Sequence, residues 1–181
     1  MNRTIIIILI QICFLSVFAD SEAPSKKVIF YSPDKEIMVI STPEDKFIQN
    51  KGVTKVFKNN KELFKFNWYS RDIYVINLED TIYTIRFAQW HRGEVNKDAM
   101  VFEIYKNDVL LKSYKVSDIL ENINDAERSV SHFRVVKEIK GFINTGKKVL
   151  FSIINTENKE IIVDIRSLKV KNTSNFRINV N

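Results

Sequence analysis

One cysteine, three prolines, four glycines and two histidines are all that 181 residues contain of these types. Each scarcity excludes a kind of chemistry. The single cysteine, Cys13, allows no internal disulfide and no cysteine-ligated metal site. Four scattered glycines build neither a phosphate-cradling loop nor a G-x-S-x-G nucleophile elbow. His91 and His132 lie far apart and show no ligand spacing with other metal-binding residues. No metal and no cofactor is expected. The chain also lacks a block of basic residues. Its net charge of +6 is spread along its length, which reads as a solvated lysine-rich surface and gives no reason to expect nucleic acid as a partner.

Long apolar runs are equally scarce, with one exception. Met1-Asn2-Arg3 is a short positive start, Thr4 to Phe18 is almost wholly apolar, and Val17-Phe18-Ala19 ends on a small residue. This is the pattern of a signal peptide over residues 1–19, with the mature chain beginning near Asp20. The competing reading is an uncleaved anchor. The run is shorter than the roughly 20 residues a spanning helix needs, and Asp20, Ser21 and Glu22 follow at once. After cleavage no transmembrane segment is expected. Cys13 leaves with the leader. A cysteine-free exported domain points to a bacterial envelope, periplasmic or extracellular, since small domains of other oxidising compartments are usually stapled by disulfides.

What the chain has in quantity is short apolar runs split by turn residues, beginning at Val28 after a polar lead-in over 20–27. Val28 to Tyr31 and Ile37 to Ser41 flank Ser32-Pro33-Asp34-Lys35, a natural type I turn. Lys55 to Phe57 and Glu62 to Phe66 flank Asn59-Asn60, and asparagine tolerates the positive φ of tight hairpins. The scheme recurs around Glu79-Asp80, Asn107-Asp108, Asn144 to Lys147 and Asn155 to Lys159. The expected fold is all-β: consecutive antiparallel hairpins, as propeller-blade-like units over 28–69, 72–120 and 133–168 or as an open sandwich, with one short helix. That helix is placed at 117–128, where apolar residues at 119, 120, 123 and 126 line one face. Ser117 or Asp118 would cap it, with Glu121 completing a capping box. The tail from Lys169 alternates weakly and offers a last edge strand.

Tyr31-Ser32-Pro33-Asp34, Phe66-Asn67-Trp68-Tyr69, Asp98 to Phe102, Leu111 to Tyr114 and Ser117 to Leu120 carry a likeness over about half the chain. The stretch resembles small secreted bacterial proteins with β-propeller-blade-like hairpin repeats. Lys35 stands where propeller turns usually place glycine. The resemblance implies the fold and export. It implies no catalytic residues.

Two loops concentrate binding chemistry. Trp68, Tyr69 and Arg71 occupy one, and Trp90, His91 and Arg92 the other. Tryptophan and arginine are enriched at binding hot spots, and an aromatic beside a guanidinium can stack on a sugar or hold a carboxylate. The competing reading packs both indoles beneath their loops. The carboxylate pairs Glu44-Asp45 and Glu79-Asp80 read as solvated turn residues, and His132 as a structural strand residue. Asn172-Thr173-Ser174 is a glycosylation sequon that matters only in a eukaryotic secretory host. The sequence therefore favours an exported, non-catalytic binding module, whose partner would be an envelope protein or a glycan. The rivals are a hydrolase using carboxylates with His91 and a structural envelope component.

Overall fold

The structure, a computed structural model, describes residues 25–45, 48–88, 91–129 and 131–173. The expected leader at 1–19, most of the expected lead-in, Trp90 and the end of the chain lie outside the described residues. The fold is all-β and built from antiparallel hairpins. Sheet 1 contains β1 (Val28–Tyr31), β2 (Ile37–Asp45), β3 (Ile48–Lys58) and β4 (Lys61–Phe66), in that order. Sheet 2 contains β5 (Ile73–Leu78), β6 (Thr81–Phe87), β8 (Met100–Lys106) and β9 (Val109–Lys115). Sheet 3 contains β12 (Val136–Asn144), β13 (Val149–Asn155), β14 (Glu160–Asp164) and β15 (Val170–Thr173). Between sheets 2 and 3 lies a small sheet of β10 (Glu127–Arg128), β11 (His132–Arg134) and β7 (His91–Arg92).

Turn chemistry sets the hairpins. Asn59 and Asn60 both take positive φ, 51° and 63°, as the tightest hairpin turn demands. Asn107 does the same at 53°. Glu79 and Asp80 adopt the same conformation, at 51° and 61°, which any L side chain tolerates less well than glycine does. The exposed carboxylate of Asp80 meets Lys58 Nζ at 3.2 Å, a surface pair worth little. Asp80→Gly should therefore raise the unfolding free energy by about 1 kcal/mol, read as an increase in the thermal midpoint. A fall would show that the ion pair outweighs the backbone strain.

Pairing register decides which side chains face where, because directly opposed residues of antiparallel strands share a face. Sheet 1 turns Ile37, Val39, Val56 and Phe66 toward Ile73, Val75, Ile82 and Tyr105 of sheet 2. The other face of sheet 2 carries Tyr83, Ile85, Phe87, Phe102 and Ile104, packed on Val149, Phe151, Ile153, Ile161 and Val163 of sheet 3. The middle sheet is thus covered on both sides. β1 touches β5, Gly141 of β12 lies against the Tyr74 ring of β5, and Phe30, Tyr74 and Phe142 line one concavity. The first strands of the three sheets therefore converge.

The helix is shorter than its apolar spacing predicts. One turn, α1 (Val116–Ile119), is followed by a 3-10 turn, Ile123–Asp125, and then β10. The start also differs. Asp118 is not the cap but reaches back to accept from Lys115 N at 2.8 Å. Two interactions stop the helix. Glu157, on the β13–β14 loop, accepts from the backbone N–H groups of Glu121 and Asn122 at 2.9 and 2.8 Å. Asn122 then accepts from Asn124 N, a local turn that competes with helical bonding. The tail forms the edge strand β15 as far as Thr173.

Candidate functional site

The meander places the 67–72 connection and the loop after β6 at the same end of sheet 2, and hydrogen bonds tie them together. Ser70 Oγ donates to Phe87 O at 2.9 Å, and Phe87 N donates to Asp72 O at 3.0 Å. Beside this junction, between the first strands of sheets 2 and 3, opens a cleft of about 330 Å³. Asp72 and Tyr74 come from the start of β5, Phe87 and Ala88 from the end of β6, and His91 from β7. Phe133 of β11 and the run from Arg134 to Ile139 form the opposite wall.

His91 is positioned by pairing. β7 hydrogen-bonds to β11 with His91 opposite Phe133, and the two rings stack with centroids 4.7 Å apart and planes 16° from parallel. Burial holds the imidazole below its ordinary range, so it is neutral at pH 7. Asp72 moves the other way. Burial raises its carboxyl, opposed by the neighbouring Arg71. Tyr74 is also raised, by burial and then by Asp72. The cations on the wall are already engaged. Arg134 pairs with Glu127, and Lys137 Nζ donates to Asn158 Oδ1 at 2.7 Å. Among the described residues, neither the Asp72 nor the Glu138 carboxylate takes part in a hydrogen bond or a close ion pair. The cleft thus holds two carboxylate acceptors beside these cations, in a protein of net positive charge.

Of the described aromatic, histidine and arginine residues singled out in the two loops, the cleft takes only His91. Trp68 is 8% exposed and lies between the first two sheets, stacked on Phe66 at 4.6 Å with the Arg86 guanidinium 4.7 Å from its ring centre. Tyr69 is 2% exposed and donates to Lys26 O at 2.8 Å. Both rings are committed to packing. Arg71 Nη2 donates to Ser25 Oγ at 3.5 Å, outside the cleft. Arg92 is exposed on β7, opposite His132, and Trp90 lies outside the described residues. Buried His132 has Nδ1 2.9 Å from Ser131 Oγ. Glu79 and Asp80 sit at the β5–β6 turn, bonded to Arg166 and Lys58. Sequence reasoning missed Tyr74, Phe133 and Glu138, and it gave no role to Asp72, although that residue ends the 68–72 loop it singled out. Only Asp72, next to Arg71 in a loop already of interest, carried any signal.

Among the described residues no three histidine, cysteine or acidic side chains cluster closely enough to hold a metal ion. No family model matches the chain, and no curated protein matches it significantly.

The His91 shift has a measurable consequence. A histidine with a lowered folded pKa binds protons more readily when unfolded, so its contribution to stability is complete above about 6.5 and is lost as pH falls below that value. The His91 Cε1 proton should titrate with a midpoint below 6.5 in the folded protein, and His91→Gln should flatten this part of the stability profile. A midpoint at or above 6.5 would place the ring in solvent.

Proposed function

We propose that the protein is an exported, non-catalytic binding module, and that its cleft takes part of a saccharide from an envelope or extracellular glycan. The observation that carries this reading is that two exposed carboxylates, Asp72 and Glu138, with no hydrogen-bond partner among the described residues, line one cleft with the half-buried Tyr74 ring. Carboxylates accept bonds from sugar hydroxyls, while ring faces cover the apolar side of a pyranose. The volume lies at the lower end of small-ligand sites, enough for a short segment. Export rests on the leader pattern in the sequence. No helix of the described residues is long and apolar enough to cross a membrane.

Calorimetric titration with chito-oligosaccharides and with a neutral glucan fragment tests the reading. One of them should bind saturably, and Asp72→Ala should weaken that binding about tenfold or more without lowering the melting temperature. No heat from either ligand at about 10 mM, well above a millimolar Kd, would overturn it.

One observation favours a second reading, a hydrolase. His91 and Asp72 are shifted in opposite directions in one concavity that also holds Glu138, and opposed shifts accompany acid–base pairs. Incubation with the same saccharides separates the two. New reducing ends that disappear in Asp72→Asn would indicate catalysis, and intact ligand would indicate binding alone.

A further inference from the structure

The cleft has a neighbour. Where β1, β5 and β12 converge, a second concavity of about 320 Å³ opens toward sheet 1. Phe30, Tyr31 and Pro33 enter it from the end of β1 and the turn that follows, and Phe142 enters it from β12. Asp72 and Tyr74 line it too, and the same two residues line the first cleft. β5 is the end strand of sheet 2, so no paired strand covers this edge. The order of contacts along β12 shows how the concavities follow one another. The strand lines the first cleft as far as Ile139, lies against the Tyr74 ring at Gly141, where a Cβ would come within 3.8 Å of it, and reaches the second concavity at Phe142. Their chemistries are complementary. The first holds the carboxylates of Asp72 and Glu138, but its phenylalanines, Phe87 and Phe133, are 5% and 4% exposed and committed to packing. The second holds accessible ring surface. Tyr31 is 57% exposed, and Phe30 and Phe142 are half-buried. A sugar uses both kinds of surface, acceptors for its hydroxyls and an apolar face for its ring.

We propose that the two concavities are consecutive subsites of one extended site, which holds an oligosaccharide long enough to pass from the carboxylates of the first, by way of Tyr74, to the rings of the second. The proposal rests on the saccharide reading of the first cleft and adds to it the length of the ligand and the course it takes. Each volume alone lies at the lower end of small-ligand sites, and the two joined fall well inside that range. A chain that fills both subsites bears the cost of immobilisation once, so affinity should rise steeply with chain length.

Calorimetric titration with chitobiose and chitotetraose, and with the di- and tetrasaccharides of the neutral glucan, tests this. In the series that binds, the tetrasaccharide should bind about tenfold tighter than the disaccharide, or more. Tyr31→Ala should remove that difference while leaving the disaccharide affinity and the melting temperature unchanged. Tyr31→Phe should restore it, because the ring is kept. Asp72→Ala should weaken the binding of both lengths. Equal affinities for the two lengths, or a Tyr31→Ala variant that binds the tetrasaccharide as the parent does, overturn the extended site and leave the reading of the first cleft intact. Binding of none of these saccharides overturns both. An oligoproline peptide whose binding Tyr31→Ala abolishes, in a protein that does not distinguish the two saccharide lengths, would give the second concavity to a polyproline helix and overturn the proposal as well.

Discussion

Trp68→Ala should lower the unfolding free energy by about 3–5 kcal/mol, the range for losing a packed aromatic side chain. The indole lies between sheets 1 and 2. It stacks on Phe66, meets Tyr105 at 5.6 Å and lies against the Arg86 guanidinium, which is largely withdrawn from water. Removing it opens a cavity and takes away the ring face that covers a buried cation. Chemical denaturation of the purified variant measures the change. A loss below about 1 kcal/mol would show that the ring contributes little packing and would return Trp68 to the candidate surface residues.

Arg86→Ala should be of similar size, again about 3–5 kcal/mol, for a different reason. Arg86 Nε donates to Glu103 Oε2 at 2.5 Å, and Tyr105 Oη donates to the same oxygen at 2.6 Å. The carboxylate is buried on the sheet 2 face that sheet 1 covers. Burial, together with the bond to Glu103, holds the Tyr105 phenol far above its ordinary range, so it remains a donor. Without Arg86 the carboxylate keeps only the phenol, and an unpaired buried charge is what makes such truncations severe. Replacing both partners with apolar residues, Arg86→Met with Glu103→Leu, should be far milder than either single change, since desolvating the pair offsets much of its attraction. Because Trp68 covers Arg86, the Trp68 and Arg86 variants should not be additive.

The hairpins were legible because their signals are local. Asn59-Asn60 and Ser32-Pro33-Asp34 announce turns through the φ values and side-chain bonds those residue types favour, and the apolar runs beside them form β1 to β4. The helix over-reached because periodicity ignores competition. Nothing near Glu121 in sequence shows that Glu157 will bind its N–H from another sheet. Of the small sheet only β11 was legible, through His132, for a related reason. β7 and β10 are two residues each and β11 three, too short for any period to register.

The candidate site was only partly legible. His91 stood out as one of two histidines, but its stacking partner Phe133 lies 42 positions later and is joined to it by strand pairing. Asp72 reaches the same cleft because β5 begins where β6 ends, a consequence of sheet register rather than of sequence spacing. Trp68 drew attention as a surface aromatic. The groups that cover it, Arg86 and Tyr105, come from β6 and β8, strands separated by a dozen residues and far from Trp68 in sequence.

Chemical-shift mapping with the saccharide that binds in calorimetry tests the central claim most directly. The largest perturbations should fall at Asp72, Tyr74, His91, Phe133 and Glu138, with the His91 midpoint moving on saturation, while exposed Ile29 and Leu63 of sheet 1 stay unchanged. Perturbations centred on the 79–80 and 107–108 turns, with His91 and Asp72 unaffected, would contradict it and move the site to the opposite end of the sheets.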